Sequence, residues 1–184
     1  MEKISAETAI ELIIAGKPLK NYYIRDTLDL YKQEGKMVSD VLFEDCEFEK
    51  LASYSVEYRH PVRLSRCRFH DNSFNYAYFL AGLTIDHCVF ETYLDFESGG
   101  HNQNNSLFAI TNSTFHEFVN FFDCWFQSGV IISNNDFRKG TNLLGNRNEP
   151  YSVQFDIAPV TENNLGVMDL DGEGGKDSNT VYLF

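Results

Sequence analysis

The sequence is poor in positive charge and in long apolar runs, and each shortage argues against a class of protein. Its 184 residues contain 15 Lys and Arg against 27 Asp and Glu, a formal net charge of −12. Nucleic-acid binders need basic patches that displace counterions, so direct nucleic-acid binding is not expected. No stretch approaches the roughly 18 apolar residues of a membrane-spanning helix, so no membrane partner is expected either.

The N-terminal stretch MEKISAETAIELIIAGKPLK lacks the continuous apolar segment and cleavage site of a secretory signal. A cytoplasmic location with reduced cysteines is therefore expected. Within this stretch, Ser5 is a good N-cap, and Gly16 followed by Pro18 marks a helix end. The pattern predicts a helix over 5–16 whose apolar side consists of Ile10, Leu12, Ile13 and Ile14.

Four positions recur along the chain with the same spacings of 21, 21, 25 and 22 residues. In chain order the four columns are Val41, Val62, Leu83, Phe108, Val130; Phe43, Leu64, Ile85, Ile110, Ile132; Cys46, Cys67, Cys88, Ser113, Asn135; and Phe48, Phe69, Phe90, Phe115, Phe137. Shared spacing in four columns indicates a repeated structural unit. Each unit begins with alternating apolar and polar residues, which is typical of a β-strand.

This pattern predicts an all-β fold, a right-handed parallel β-helix of about 5–7 coils of roughly 21–25 residues, capped by the N-terminal helix. Each coil stacks about 4.8 Å above the last, so that the columns become internal ladders. One domain is expected over 1–184, with the cap helix at 5–16 and the coils at 20–160. An acidic, glycine-rich loop and a C-terminal strand follow at 161–184.

A finer rhythm of five residues runs through the second coil, where Leu64, Phe69, Phe74 and Phe79 are five apart. The last three follow Cys67, Asn72 and Ala77 by two residues. With FEDCEF, LSRCRF and FFDCWF, this rhythm over residues 41–138 resembles the pentapeptide-repeat family. The resemblance implies a quadrilateral β-helix. It also implies a possible function, since some members mimic duplex DNA and bind a type II topoisomerase. An irregular, pectate-lyase-like β-helix remains the alternative architecture.

The outward positions of the coils alternate in charge. Asp45 precedes Arg66 by one coil, Glu47 precedes Arg68, and Glu49 precedes His70. Stacked in register, these side chains are expected to pair as acid and base. Such mixed columns disfavour a continuous, DNA-like negative wall.

The sequence contains no recognisable set of catalytic residues, so the protein is predicted to be non-enzymatic and without a cofactor. The chain has no C-x-x-C, H-x-x-x-H or G-x-S-x-G sequence. The column of Cys46, Cys67 and Cys88 is interpreted as small core residues. Asn135 at the same position is expected to be a buried amide bonded along its own coil.

Two polar segments remain as candidate sites. In DLDGEGGKDSNT, Asp169, Asp171, Glu173 and Asp177 fit ligand positions of a calcium loop, although Thr180 replaces its final Glu. We interpret this segment mainly as a flexible acidic loop, with calcium binding as the alternative. The other segment, ESGGHNQNNS, lengthens one coil, and its Glu97, His101, Asn102 and Gln103 form a candidate interaction loop.

Together these features favour a non-enzymatic β-helical scaffold whose partner is a protein. The C-terminal coil ends in the apolar residues Val181, Tyr182, Leu183 and Phe184, so it is expected either to cap itself or to stack on a second copy as a homodimer. Two alternatives stay open: a DNA mimic that binds topoisomerase, and a β-helix that binds or cleaves carbohydrate.

Overall fold

Over the residues that the structure describes, the chain forms a parallel β-solenoid of about six turns with a single short helix near its N-terminus, which confirms the predicted fold class. The computed structural model describes residues 1–32, 36–37, 39–147 and 150–174, without the side chains of 32, 36 and 37. No helix in these ranges is both long and apolar enough to cross a membrane.

Two long parallel sheets run the length of the solenoid. The seven-stranded sheet contains, in stacking order, Leu19–Lys20, Val41–Glu44, Val62–Ser65, Leu83–Asp86, Phe108–Thr111, Val130–Ser133 and Val160–Glu162. The eight-stranded sheet contains Glu2–Ile4, Tyr22–Asp29, Glu47–Ala52, Arg68–Phe69, Val89–Phe90, Thr114–Phe115 and Asp136–Phe137, with Asn72–Ser73 paired to Glu47–Ala52.

Shorter strands close the remaining sides of the coils. They are Lys36–Met37, Glu57–Tyr58 and Tyr78–Phe79 in one group, Leu94–Asp95 and Val119–Asn120 in a second, and Trp125–Phe126 and Gln154–Phe155 in a third. A 3-10 turn occupies Leu30–Lys32. The coil that starts at Val62 has four strands before the next coil begins, so this coil is four-sided.

The helix Ala6–Ile14 covers the first coil, where it packs against the strand Tyr22–Asp29. Ser5 caps it as predicted, because its Oγ accepts a hydrogen bond from the Thr8 amide. The predicted apolar side is confirmed for Ile13, which is buried, and for Ile10 and Leu12, which are partly buried against the core. The Ile14 side chain, in contrast, is 56% exposed. The 3.6-residue period explains this, because Ile14 follows Ile13 by about 100° around the helix.

The predicted aliphatic and Phe columns are in register as internal ladders, with Cα partners at every step from Phe43 to Ile132 and from Phe48 to Phe137. The Phe rings stack almost in parallel, and the centroids of Phe69 and Phe90 lie 4.7 Å apart. A second stack joins Phe74, Phe96 and Phe121 at 5.5 and 5.1 Å. These buried rings form the centre of the core.

The Cys, Ser and Asn column is buried as predicted, but the Asn135 side chain bonds between coils and not along its own coil. The Cys and Ser side chains also donate to a carbonyl oxygen of their own coil, as Ser113 Oγ does to Thr111. The Cys88 amide donates to Ser113 Oγ at 3.0 Å, and the Ser113 amide donates to Asn135 Oδ1 at 3.0 Å. The Asn135 amide in turn donates to Asn164 Oδ1. Each polar side chain thus accepts a backbone N–H that a corner leaves without a ladder partner.

Left-handed residues form a column at the corner before this polar column. Seven successive corner residues have φ between 52° and 59°: Asn21, Asp45, Arg66, His87, Asn112, Asn134 and Asn163. Asn, Asp and His are enriched in this conformation, whereas Arg adopts it less readily. The repeat spacing in this part of the chain therefore follows from a fixed corner geometry as well as from the core.

Candidate functional site

Six aromatic side chains lie on the outside of the solenoid around the corner that contains Tyr76. We call Tyr31, Tyr54, Tyr76, Tyr78, His101 and Trp125 the aromatic surface. Its Tyr and Trp side chains are 37 to 51% exposed. Ring centroids are 5.6 Å apart for Tyr54 and Tyr76, and 4.1 Å apart for Tyr78 and His101. The surface therefore extends across several coils as neighbouring rings.

The coil geometry turns these rings outward. Tyr76 lies at a left-handed corner with φ 57°, Ala77 points into the core, and Tyr78 begins the next strand with its ring outside. Stacking then places outward residues of adjacent coils above one another. The sequence contained this signal, since Tyr54 and Tyr76 are 22 residues apart, but the inward columns alone did not reveal it.

Gly100 brings His101 into the aromatic surface. It bridges Tyr78 and Trp125 on the neighbouring coils and has φ 91°. A Cβ at this position would lie 2.8 Å from the Trp125 carbonyl oxygen and 3.0 Å from the Phe126 ring. Only glycine fits without displacing the next coil. The backbone ladder between the coils therefore continues through Gly100. The ring of the following residue, His101, lies between the Tyr78 and Trp125 rings.

The four residues of the predicted interaction loop have different environments. His101 belongs to the aromatic surface, while Glu97 and Gln103 are half-buried beside it. Asn102 is fully buried, and its Nδ2 donates to the carbonyl oxygens of Ser106 and Gly129. Its side chain holds the loop against the next coil, which makes it a structural residue and not a contact for a partner.

Acidic groups surround the aromatic rings. Asp156 Oδ1 accepts a hydrogen bond from Trp125 Nε1 at 2.9 Å, and the carboxylate of Asp123 accepts one from Ser98 Oγ. Burial lowers the pKa of the His101 imidazole below its ordinary value, against the opposing effects of Gln127 and Asp123. His101 is therefore neutral at neutral pH, and the charge around the rings is negative.

The outward charge columns are ion-paired, but two of the three predicted pairs are wrong. Arg66 pairs with Asp45 at 2.7 Å as predicted, and this hydrogen bond lowers the pKa of Asp45. Glu47 instead pairs with His70, and Arg68 reaches Glu91 on the following coil. Long side chains reach diagonal neighbours on a sheet, which explains the shift.

Glu49, the third predicted acid, accepts a hydrogen bond from the Tyr23 hydroxyl on the preceding coil. Glu91 also pairs with His116 at 2.7 Å, so basic and acidic groups alternate from coil to coil. Over these columns the surface is a lattice of opposite charges.

The four cysteines do not form a reactive centre. All are free and buried. A hydrogen bond with Cys67 and burial raise the pKa of the Cys46 thiol, and burial raises the pKa of the Cys124 thiol. Both groups are thus protonated at neutral pH, and a neutral thiol is a poor nucleophile and a poor metal ligand.

The predicted calcium loop is described in part. Asp171 Oδ1 accepts a hydrogen bond from the Asn146 amide, and the backbone oxygen of Glu173 accepts one from the Tyr93 hydroxyl. Asp177 lies outside the described residues. Within the described ranges, no group of three or more His, Cys, Asp or Glu residues could hold a metal ion. Calcium binding by Asp169 and its neighbours stays a prediction.

No protein-family model, curated protein or solved structure matches the chain. The β-solenoid is therefore established by its own geometry. The pentapeptide-repeat assignment stays a resemblance carried by the five-residue rhythm.

Proposed function

We propose that the protein is a non-enzymatic β-helical scaffold that binds a protein partner through the aromatic surface. The observation that carries this proposal is the set of neighbouring exposed rings, from Tyr54 and Tyr76 to Tyr78, His101 and Trp125. Tyr and Trp are enriched among the residues that contribute most to protein–protein binding. Rings held on a rigid solenoid lose little side-chain freedom on binding, which favours affinity.

The charge beside the rings favours a basic partner. Asp123 and Asp156 flank Trp125, and the whole chain has a net charge of −12. Arg side chains stack well on Tyr and Trp rings and pair with carboxylates, so a partner surface that combines Arg with apolar groups is complementary.

The alternative of a topoisomerase-binding DNA mimic receives less support. A mimic needs an extended negative surface, whereas Arg66, Arg68, His70 and His116 pair with acids along the charge columns. The acid–base lattice fits a stabilised solenoid wall better than a copy of the phosphate backbone.

Replacing two rings of the aromatic surface tests the proposal. We expect the double variant Tyr76→Asn, Trp125→Thr to remain folded, because Asn suits the left-handed corner and Thr suits a strand. Losing two central aromatic contacts should weaken binding at least about 30-fold, since one such residue is typically worth roughly 2 kcal/mol. The measurement is capture of the partner from native lysate, followed by the affinity of the purified pair.

Arg63→Thr is the matched control, because Arg63 is exposed on a strand outside the aromatic surface. This variant should bind the partner as the unchanged protein does. A captured partner with equal affinity for the double variant and the control would contradict the proposal. Failure to capture any protein would contradict it as well.

We further propose that a second copy of the chain packs against the last coil. Four of its apolar side chains are exposed: Ile157, Val160, Leu165 and Val167. The strand Val160–Glu162 is the terminal strand of the seven-stranded sheet, and it pairs with Val130–Ser133 on one side. Exposed apolar residues concentrated on one coil are typical of an association surface. The apolar residues 181–184 that first suggested a dimer lie outside the described residues.

Light scattering coupled to size exclusion tests this association. We expect a dimer at micromolar concentration, and a monomer for Leu165→Glu, whose side chain is 66% exposed in the single chain. A charge buried in an apolar interface is strongly unfavourable, so the shift should be nearly complete. A monomeric mass for the unchanged protein at every concentration would refute the proposed dimer.

A further inference from the structure

A cavity of about 520 Å³ lies at the C-terminal end of the solenoid, apart from the aromatic surface. Its lining includes Phe122, Asn146, Arg147, Tyr151, Asp169 and Asp171. The size falls within the roughly 300–1,000 Å³ of small-molecule sites. Three separate chain segments meet here, and the Tyr151 carbonyl oxygen anchors its segment by accepting a hydrogen bond from the Asp123 amide at 2.9 Å.

A buried amide in this lining has an unused donor. Asn146 is 2% exposed, and its Oδ1 accepts a hydrogen bond from the Gly172 amide at 2.7 Å. That bond fixes the orientation of the side-chain amide. Its Nδ2 is buried and has no hydrogen-bond partner among the residues that the structure describes. Because an unsatisfied buried donor is unfavourable, a ligand oxygen that accepts from Nδ2 would be bound favourably.

Charges of both signs line the same cavity. Arg147 donates to the Leu144 carbonyl oxygen through Nε, and it lines the cavity together with the acidic residues Asp169 and Asp171. A ligand with a full charge would meet at least one group of its own sign. Hydroxyl groups, in contrast, donate to carboxylates and accept from Arg or from Asn Nδ2. The lining therefore favours a neutral ligand rich in hydroxyl groups.

One wall of the cavity is aromatic. The rings of Phe122 and Tyr151 lie 5.5 Å apart with 42° between their planes. Aromatic rings bind apolar surface on one face while their surroundings remain polar. A pyranose ring matches this wall, because its C–H bonds form an apolar face and its hydroxyl groups point outward from the edge.

We propose that this cavity binds a saccharide. One hydroxyl or ring oxygen accepts from Asn146 Nδ2, further hydroxyl groups donate to Asp169 and Asp171, and the C–H face packs on Tyr151. The site is independent of the proposed protein partner. It gives the carbohydrate alternative a definite location, as a binding site without a catalytic role.

Titration of the ¹⁵N-labelled full-length protein with methyl glycosides of glucose, galactose and mannose, and with N-acetylglucosamine, tests this proposal. We expect saturable shifts of the amide signals of Gly145, Asn146 and Gly172 for at least one sugar, with a Kd of roughly 0.1–10 mM. Arginine amide is titrated in parallel. No shift with any sugar up to about 50 mM would overturn the proposal, and so would binding of arginine amide alone.

Two pairs of variants locate the site. Tyr151→Ala should weaken sugar binding at least about tenfold, whereas Tyr31→Ala should not, although the two rings are 52% and 51% exposed. Asn146→Asp keeps the acceptor for Gly172 but removes the Nδ2 donor, and should weaken binding about fivefold. Asn134→Asp is its control, because both residues have a left-handed φ. Loss of binding in Tyr31→Ala with retention in Tyr151→Ala would overturn the assignment.

Discussion

Phe90→Asp is expected to abolish cooperative folding of the solenoid. The Phe90 side chain is completely buried, and its ring stacks between Phe69 at 4.7 Å and Phe115 at 5.1 Å. A carboxylate there would have no cationic partner and would cost several kcal/mol in addition to the lost packing. A total stability of roughly 5–15 kcal/mol does not tolerate such a loss. The measurement is thermal unfolding followed by circular dichroism.

Two further variants make this result interpretable. Phe90→Ala leaves a cavity without a charge, so it should lower the free energy of unfolding by about 3–5 kcal/mol and retain a cooperative transition. Glu91→Gln changes the adjacent outward residue and breaks its pairs with Arg68 and His116. Partly exposed ion pairs contribute little, so the effect should stay under about 1 kcal/mol. Equal stability of Phe90→Asp and Glu91→Gln would contradict the ladder.

Asn135→Leu is expected to produce the second largest loss, although the volume of the side chain changes little. Asn135 Oδ1 accepts from the Ser113 amide, and its Nδ2 donates to the Ile110 carbonyl oxygen at 2.9 Å. Leucine would leave both backbone groups buried without partners, at about 1–3 kcal/mol each. Urea unfolding should therefore show a decrease of about 2–6 kcal/mol.

A hydroxyl at the same position separates hydrogen bonding from packing. Asn135→Ser restores an acceptor of the kind that Ser113 provides for Cys88, so it should lose less stability than Asn135→Leu. Asp136→Asn, on the next residue, is the control and should change stability by less than about 0.5 kcal/mol. A leucine variant as stable as the serine variant would show that Asn135 acts only as a space-filling residue.

The inward half of the fold could be predicted from the sequence because stacking repeats the same environment. Phe90, for example, lies in register between Phe69 and Phe115. In the sequence, this register appears as one set of spacings that all four inward columns share. Burial of Asn135 was predictable for the same reason. The direction of its hydrogen bonds was not, because spacing does not show whether an amide bonds along a coil or between coils.

The residues of the candidate sites follow the coil spacing without repeating one residue type, which limits what the sequence could predict. The lengthened coil did indicate His101, but Gly100 decides that its ring joins Tyr78 and Trp125. The cavity combines residues near 122, 147 and 170, which lie about one coil apart but differ in residue type from coil to coil. Asp169 and Asp171 stood out as acids in a glycine-rich loop, and only the folded chain brings Arg147 into the same lining.

The alternating charge columns also bear on how the chain finds its correct stacking order. A core of repeated Phe rings hardly distinguishes an adjacent coil from the next but one, since Phe48 could stack on Phe90 as readily as on Phe69. The outward column that contains Glu49, His70, Glu91 and His116 makes that distinction. Omission of one coil would bring Glu49 against Glu91, or His70 against His116, so that like groups would meet. The surface charges thus disfavour the stacking of coils out of order. They protect the repetitive interior against misfolded states in which one coil is left out of the stack.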